Sequence, residues 1–350
     1  MVFMATAYFS HPTCAMHNMG EVHFDSPTRV DVIESNLAED NLLKLMHCYK
    51  ALPASKDHLL LAHDAYYIDG LMEINQRRVD SLIASNSGYA QEQMVFDGDL
   101  GLNEYSMQAA ELSAGSVIQG VDLVMAECAD NAFCVARPPG HNAGRNFSEG
   151  GCIINNVMVG AQYAKLVYRL NRIAIVDFDA NFGFGTQDIV RDDDHFMYIS
   201  VFQHRDKEKN LYRERYDNVK RFPMMKRYDG ERYKIIFNNY VLPILREFKP
   251  EILFISAGFN AHTADFTSNL KLSDTDYYWI TQSLLAEECI AKNSRVISVL
   301  EGGYNLKALA KSVNQHVRAL IGLPPNTYGS QTLNPCDALH ASSHKVRQSA

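Results

Sequence analysis

The 350-residue sequence has no paired-cysteine motif, no excess of positive charge and no long apolar run, and each absence removes a class of function. Its seven cysteines, Cys14, Cys48, Cys128, Cys134, Cys152, Cys289 and Cys336, are odd in number and include no Cys-x-x-Cys pair. A disulfide framework and a structural zinc knuckle are therefore poor expectations, and a reducing compartment fits better. Lysine and arginine total 33 against 41 aspartates and glutamates, for a net charge of -8. That is the wrong sign for a protein that follows a phosphate backbone or an anionic bilayer, so neither nucleic acid nor membrane is an expected partner. No stretch of eighteen apolar residues occurs, and the start Met1-Val2-Phe3-Met4-Ala5-Thr6 lacks the basic n-region and long apolar stretch of a signal peptide, so export is not expected. The expected location is the cytoplasm.

What is present is α/β rhythm. Hydrophobic residues at 47% and charged residues at 21% describe a globular chain, long enough to bury a core without covalent help. Amphipathic stretches at Tyr105 to Cys128, Cys152 to Leu170, Tyr233 to Phe248, Asp274 to Lys292 and Leu306 to Ile321 read as helices. Short apolar runs at Ala132 to Ala136, Ile173 to Val176, Met197 to Val201, Ile252 to Ile255 and Val296 to Leu300 read as strands buried on both faces. The expected architecture is a single three-layer α/β/α domain, residues 1–335, around a mostly parallel sheet with right-handed crossovers. The first hundred residues are less periodic and are expected to pack around the sheet and shape a pocket rim. Residues 336–350 are polar and are expected to form a mobile tail.

Polar residues collect where the apolar runs end: Arg137-Pro138-Pro139-Gly140-His141, Asp177-Phe178-Asp179, Ser256-Ala257-Gly258-Phe259-Asn260 and Glu301-Gly302-Gly303-Tyr304. Open α/β sheets put their sites at these C-terminal strand ends. Gly183-Phe184-Gly185 is a weak nucleotide-loop signal, because the third glycine and the following acidic residue are missing.

These turns, in this order, resemble the histone deacetylase and acetylpolyamine amidohydrolase family, which has the arginase-type α/β fold. Arg137 to His141, then Gly151-Cys152-Ile153-Ile154-Asn155-Asn156, carry the likeness, and His17 to Arg29 and His63 to Tyr67 extend it towards the N-terminus. The resemblance implies a zinc ion held by two aspartates and a histidine, with a bound water that attacks an acetyl carbonyl. Of those ligand positions Asp179 is retained, the histidine position holds Asn181 and the second aspartate position holds Asn260. One carboxylate and two amides suit zinc badly, so tight zinc binding is not expected and no other cofactor is implied. The second of the family's tandem histidines is Asn142, the position of its polar partner is Phe184, and Phe182 follows the lost ligand histidine.

His141, Asp177 as the group that orients it, and Tyr304 as the family's hydroxyl donor to an oxyanion remain. Cys152, just past two glycines at the expected helix start, is either a buried structural residue or a nucleophile paired with His141 and Asp177. Gly151 stands where the family has an aromatic channel wall, implying a wider tunnel. Asp177, Asp179 and Ser200 are where the resemblance implies a structural monovalent cation. Asn142, Gly151, Phe182, Phe184, Asn181, Asn260 and Asp179 are the expected lining for a small acylated or amine-bearing molecule. Three readings follow: metal-independent acyl transfer or hydrolysis, a non-catalytic ligand-binding pseudoenzyme, or a residual amidohydrolase with a weakly held metal. A homodimer is compatible with the family.

Overall fold

Alternate residues of each central strand face opposite hydrophobic layers. In the computed structural model, which describes residues 4–20, 23–85, 94–96, 100–205, 215–286 and 295–326, Ala132 and Cys134 join one core while Phe133 and Val135 join the other. Ile173 and Ile175 divide from Ala174 and Val176 in the same way. A strand covered on both faces has no polar side to show, which is why these segments read as unbroken apolar runs.

The strands are β1 (Thr6–Ser10), β2 (His47–Lys50), β3 (Met94–Phe96), β4 (Leu100–Leu102), β5 (Asn131–Cys134), β6 (Ile173–Asp177), β7 (Phe196–Gln203), β8 (Val219–Met224), β9 (Ile252–Ala257) and β10 (Val296–Leu300). The helices are α1 (Thr28–Glu39), α2 (Lys56–Leu59), α3 (Ala65–Ser85), α4 (Ser106–Met125), α5 (Asn156–Tyr168), α6 (Phe184–Val190), α7 (Gly230–Ile236), α8 (Leu242–Phe248), α9 (Asp274–Leu284) and α10 (Leu306–Ile321). Eight strands form one sheet in the order β2-β1-β5-β10-β9-β6-β7-β8, and every pairing in it is parallel. β3 and β4 pair separately as an antiparallel ribbon.

One helical layer is built on α4 and α5, through Val117, Val121, Val157 and Ala161. The opposite layer is built on α1, α9 and α10, through Ile33, Ile280, Val313 and Val317. This is the expected α/β/α domain. α7 and α8 are joined by a π turn, Phe237–Val241, ahead of Pro243, which has no N–H to continue the α ladder.

Four elements differ from expectation. The first hundred residues do more than surround the sheet, because β1 and β2 are two of its strands. β8 extends the opposite edge, and its Pro223 is tolerated there because an edge strand has N–H groups that need no neighbour. The helix expected from Cys152 begins at Asn156, since Asn155 caps it by accepting the Met158 N–H at 3.1 Å. The helix expected to reach Lys292 stops at Leu284, with Leu285 as its C-cap, while the expected tail, residues 336–350, lies outside the described residues. Among the described residues no helix is long and apolar enough to cross a membrane.

Candidate functional site

The order in which strands are laid down reverses between β6 and its parallel neighbour β9: β7 and β8 follow β6 on one side, while β10 follows β9 on the other. Such a switch point opens a crevice at the C-terminal strand ends. Asp177 ends β6, Asn260 lies just past β9, Glu301 to Tyr304 follow β10, and the Arg137 to Asn142 loop follows β5. All four polar turns seen in the sequence therefore meet at one place.

The β5 loop is held from three sides. Glu301 Oε2 accepts the Gly140 and His141 N–H groups at 2.8 and 3.2 Å. Asn156 Nδ2 donates to the Pro138 carbonyl and Asn155 Nδ2 to the Ala143 carbonyl, at 3.1 and 3.0 Å. The paired asparagines thus serve as staples as well as a helix cap. Below them Asp25 Oδ1 accepts from Arg29 at 2.6 Å and from Arg137 at 3.2 Å, with all three side chains buried. Arg29 also donates to the Gly303 carbonyl at 2.7 Å and lies 5.1 Å from the Tyr304 ring centroid. The N-terminal segment is in this way tied to the glycine turn that carries Tyr304.

His141 Nδ1 lies 2.9 Å from Asp177 Oδ2, which also accepts the Tyr198 hydroxyl at 2.8 Å. Burial alone would lower the His141 pKa, but the carboxylates of Asp177, Asp179 and Glu301 outweigh it and push it up to about 10. Asn142 Nδ2 lies 3.2 Å from His141 Nε2, and its Oδ1 accepts the Phe184 N–H at 3.3 Å.

Asp179 is surrounded by donors. Oδ1 accepts from Asn260 Nδ2 at 2.8 Å, from the Asn181 N–H at 2.8 Å and from Asn181 Nδ2 at 3.2 Å; Oδ2 accepts the Gly302 N–H at 2.9 Å. The amide orientations are fixed from their far ends. Asn260 Oδ1 accepts the Ala180 N–H at 2.8 Å, and Asn181 Oδ1 accepts from Arg205 Nη2 at 2.5 Å. Gly258 and Gly302 permit this close packing: a Cβ at either would stand 2.1 or 2.5 Å from Asp179 Oδ2.

A cavity of about 180 Å³ opens onto this cluster. His141, Asn142, Cys152, Asn181, Phe182, Phe184 and Tyr304 line it, while Asp177, Asp179 and Asn260 are buried behind its wall. Phe182 packs its ring edge to face with Phe184 at 5.1 Å and against Phe202 at 4.9 Å, closing one side with aromatic surface. Burial and the Asp179 charge raise the Tyr304 pKa, so the phenol stays a hydroxyl donor.

Two expectations about the wall are corrected. Gly151 does not widen the channel: the direction a Cβ would take there meets Met19 Sδ at 3.1 Å, and Gly150 forms the wall instead. Cys152 lies four residues ahead of α5, and burial together with Glu301 pushes its thiol well above the ordinary value, opposite to the thiolate expected at a helix start. Sequence reasoning missed Arg205, Phe24 and Glu149, which also line the cavity. Phe24 fell within a segment already marked by the resemblance, whereas nothing local in the sequence singles out Arg205.

A histone deacetylase domain model matches residues 23–320. The chain is 32% identical over 348 residues to type-2 histone deacetylase 2 of Dictyostelium discoideum, covering 89% of this chain and 20% of the relative. It is 30% identical over 334 residues to polyamine deacetylase HDAC10 of Danio rerio, covering 92% of this chain and 47% of the relative. This chain thus spans about a fifth and about half of those two relatives. An uncharacterized protein of Synechocystis, slr0245, is 30% identical over 87% of this chain and 96% of its own. Among solved structures, the HDA15 HD domain superposes with a TM-score of 0.79 at 26% identity, covering 90% of this chain and 91% of that one.

Proposed function

Because the chain belongs to the histone deacetylase family, we propose that it keeps the family's pocket as a binding site for a small acylated or amine-bearing molecule and has given up zinc-dependent amide hydrolysis. The observation that carries this reading is the set of N–H groups around Asp179. A zinc ion needs lone pairs, and the amides at the two altered ligand positions turn their N–H groups towards the one carboxylate left. Turning Asn260 round would bring its oxygen inward, but it would leave the Ala180 N–H without an acceptor and face oxygen against oxygen at Asp179. At the Asp179, Asn181 and Asn260 positions the donor set does not fit the ion.

Binding without turnover also accounts for the remaining groups. A His141 that holds its proton is an acid rather than a base at neutral pH, and a buried, protonated Cys152 is a poor nucleophile. Tyr304, His141 and the Asn142 amide can together hold a carbonyl oxygen. A structural monovalent cation fits beside them: Ser200, in register with Asp177 on the neighbouring strand, has a buried hydroxyl without a hydrogen-bond partner.

The test is a thermal-shift screen of N-acetylated polyamines and acetyl-lysine peptides, with acetate release followed in parallel. The reading expects ligands that raise the melting temperature and release no acetate. Acetate release that stops on chelation would contradict it. A second reading, metal-independent acyl transfer or hydrolysis, is favoured by the intact His141 and Asp177 pair at 2.9 Å beside Tyr304. It requires chelator-insensitive turnover that His141→Ala abolishes.

A further inference from the structure

Arg205 is a fixed cation in the cavity wall. It lies two residues past β7 and lines the cavity. Its Nη2 donates to Asn181 Oδ1 at 2.5 Å and to the Thr267 carbonyl at 3.3 Å. Its Nε is buried and has no hydrogen-bond partner. A guanidinium keeps its charge under all ordinary conditions and offers five N–H donors in one plane, so with Nη2 alone engaged this one has donor capacity left on the side that faces the cavity.

The surroundings favour such an anion. The Asp179 carboxylate is already engaged by N–H donors, and Asp177 by the Tyr198 hydroxyl and His141. Asn181 is locked with its oxygen towards Arg205, so it holds the guanidinium in place without neutralising it. Phe24, Phe182 and Phe184 supply apolar surface in the same cavity, and Glu149 is the acidic side chain on its lining. Where the family resemblance implied a dication facing carboxylates, this chain has a fixed monocation facing an amide.

We propose that the cavity selects small molecules bearing a carboxylate, which Arg205 takes as its partner while the apolar body lies against the phenylalanines. The proposal rests on the metal-free reading above. It names the ligand class and assigns Arg205 as the residue that sets it. Guanidinium and carboxylate match in planar geometry, so the preference is for a carboxylate over its neutral amide, which has the same shape without the charge.

The experiment titrates butyrate and butyramide calorimetrically into the wild-type chain, Arg205→Met and Arg205→Lys, each with and without the neutral chelator 1,10-phenanthroline. Circular dichroism first establishes that each variant is folded. The expected result is that butyrate binds the wild type at least about tenfold more tightly than butyramide. Arg205→Met should lose that preference and Arg205→Lys should keep part of it, all unaffected by the chelator. Equal binding of the two probes, absence of butyrate binding, or undiminished butyrate binding by Arg205→Met overturns the carboxylate assignment and leaves the metal-free reading standing. Butyrate binding that vanishes with phenanthroline would mean that a metal holds the carboxylate, and both would fall.

Discussion

Asn260 donates through Nδ2 to Asp179 Oδ1 across 2.8 Å, and its own oxygen is held by the Ala180 N–H across the same distance. A carboxylate that the family resemblance assigns to a dication is instead satisfied by an amide whose orientation the backbone fixes.

Restoring the lost donors should restore the ion. The double variant Asn181→His with Asn260→Asp should bind zinc more than about 100-fold more tightly than the wild type, since changes even to groups behind the ligands alter metal affinity by up to that scale. Competition against a chromogenic chelator measures it. An unchanged zinc affinity would mean that the amides are not what excludes the metal.

Stability should fall as pH rises above about 6.5, through His141. Below that pH the buried neutral His17, His63 and His316, whose pKa values burial lowers to about 3, 4 and 3, make it rise with pH and outweigh the opposite contribution of Glu301. Burial lifts the Glu301 pKa from its ordinary 4.5 to about 7, and the His141 pKa stands near 10 against an ordinary 6.5. Both groups bind protons more tightly folded than unfolded, so each contributes stability at low pH and loses it as pH passes through its folded value. Glu301 accounts for the window from 4.5 to 7, and His141 for that from 6.5 to 10. Chemical denaturation across this range should show His141→Gln flattening the fall at high pH and Glu301→Gln steepening the rise at low pH. A slope above pH 7 unaltered by His141→Gln would count against a protonated ring.

Asp25 should be indispensable to folding. Burial would raise its carboxyl pKa, but Arg137 and Arg29 overcome this and hold it at about 2. Asp25→Asn removes the charge that balances two buried guanidiniums, and breaking a buried pair in this way costs about 3–5 kcal/mol. Urea denaturation reads the change. A loss below about 1 kcal/mol would show that Asp25 merely fills space.

Cys152 should resist alkylation. With iodoacetamide at pH 7.5, peptide mapping should find that among the cysteines of the described residues Cys48 and Cys128, both exposed, are modified first and the buried Cys152 is protected. Cys152→Ala should retain ligand binding. Preferential labelling of Cys152 would revive the nucleophile reading.

The parts of this molecule that could be read in its sequence are those whose physics is local. β6, β9 and β10 are buried on both faces and so appear as apolar runs, and α10 matches its amphipathic pattern from end to end. β2 and β8 escaped because edge strands carry mixed polarity: His-Cys-Tyr-Lys is exposed throughout, and β8 contains Lys220, Arg221 and a proline. The strand-end turns revealed most of the site, because glycines and polar residues after an apolar run mark the ends of strands. Arg205 could not be found that way. Its place in the cavity depends on how the segment after β7 lies against Asn181 and Thr267, a contact between positions 24 and 62 residues apart. Likewise the direction of the Asn260 amide depends on Ala180, 80 residues earlier in the chain.

The most direct measurement is the metal content of the purified chain after incubation with excess zinc and exhaustive dialysis, with deacetylation of acetylated polyamine followed on the same sample. A metal-excluding pocket predicts well under one zinc per chain and no acetate release. One firmly held zinc per chain, with deacetylation that ceases when a chelator strips it and returns when it is replaced, would contradict it.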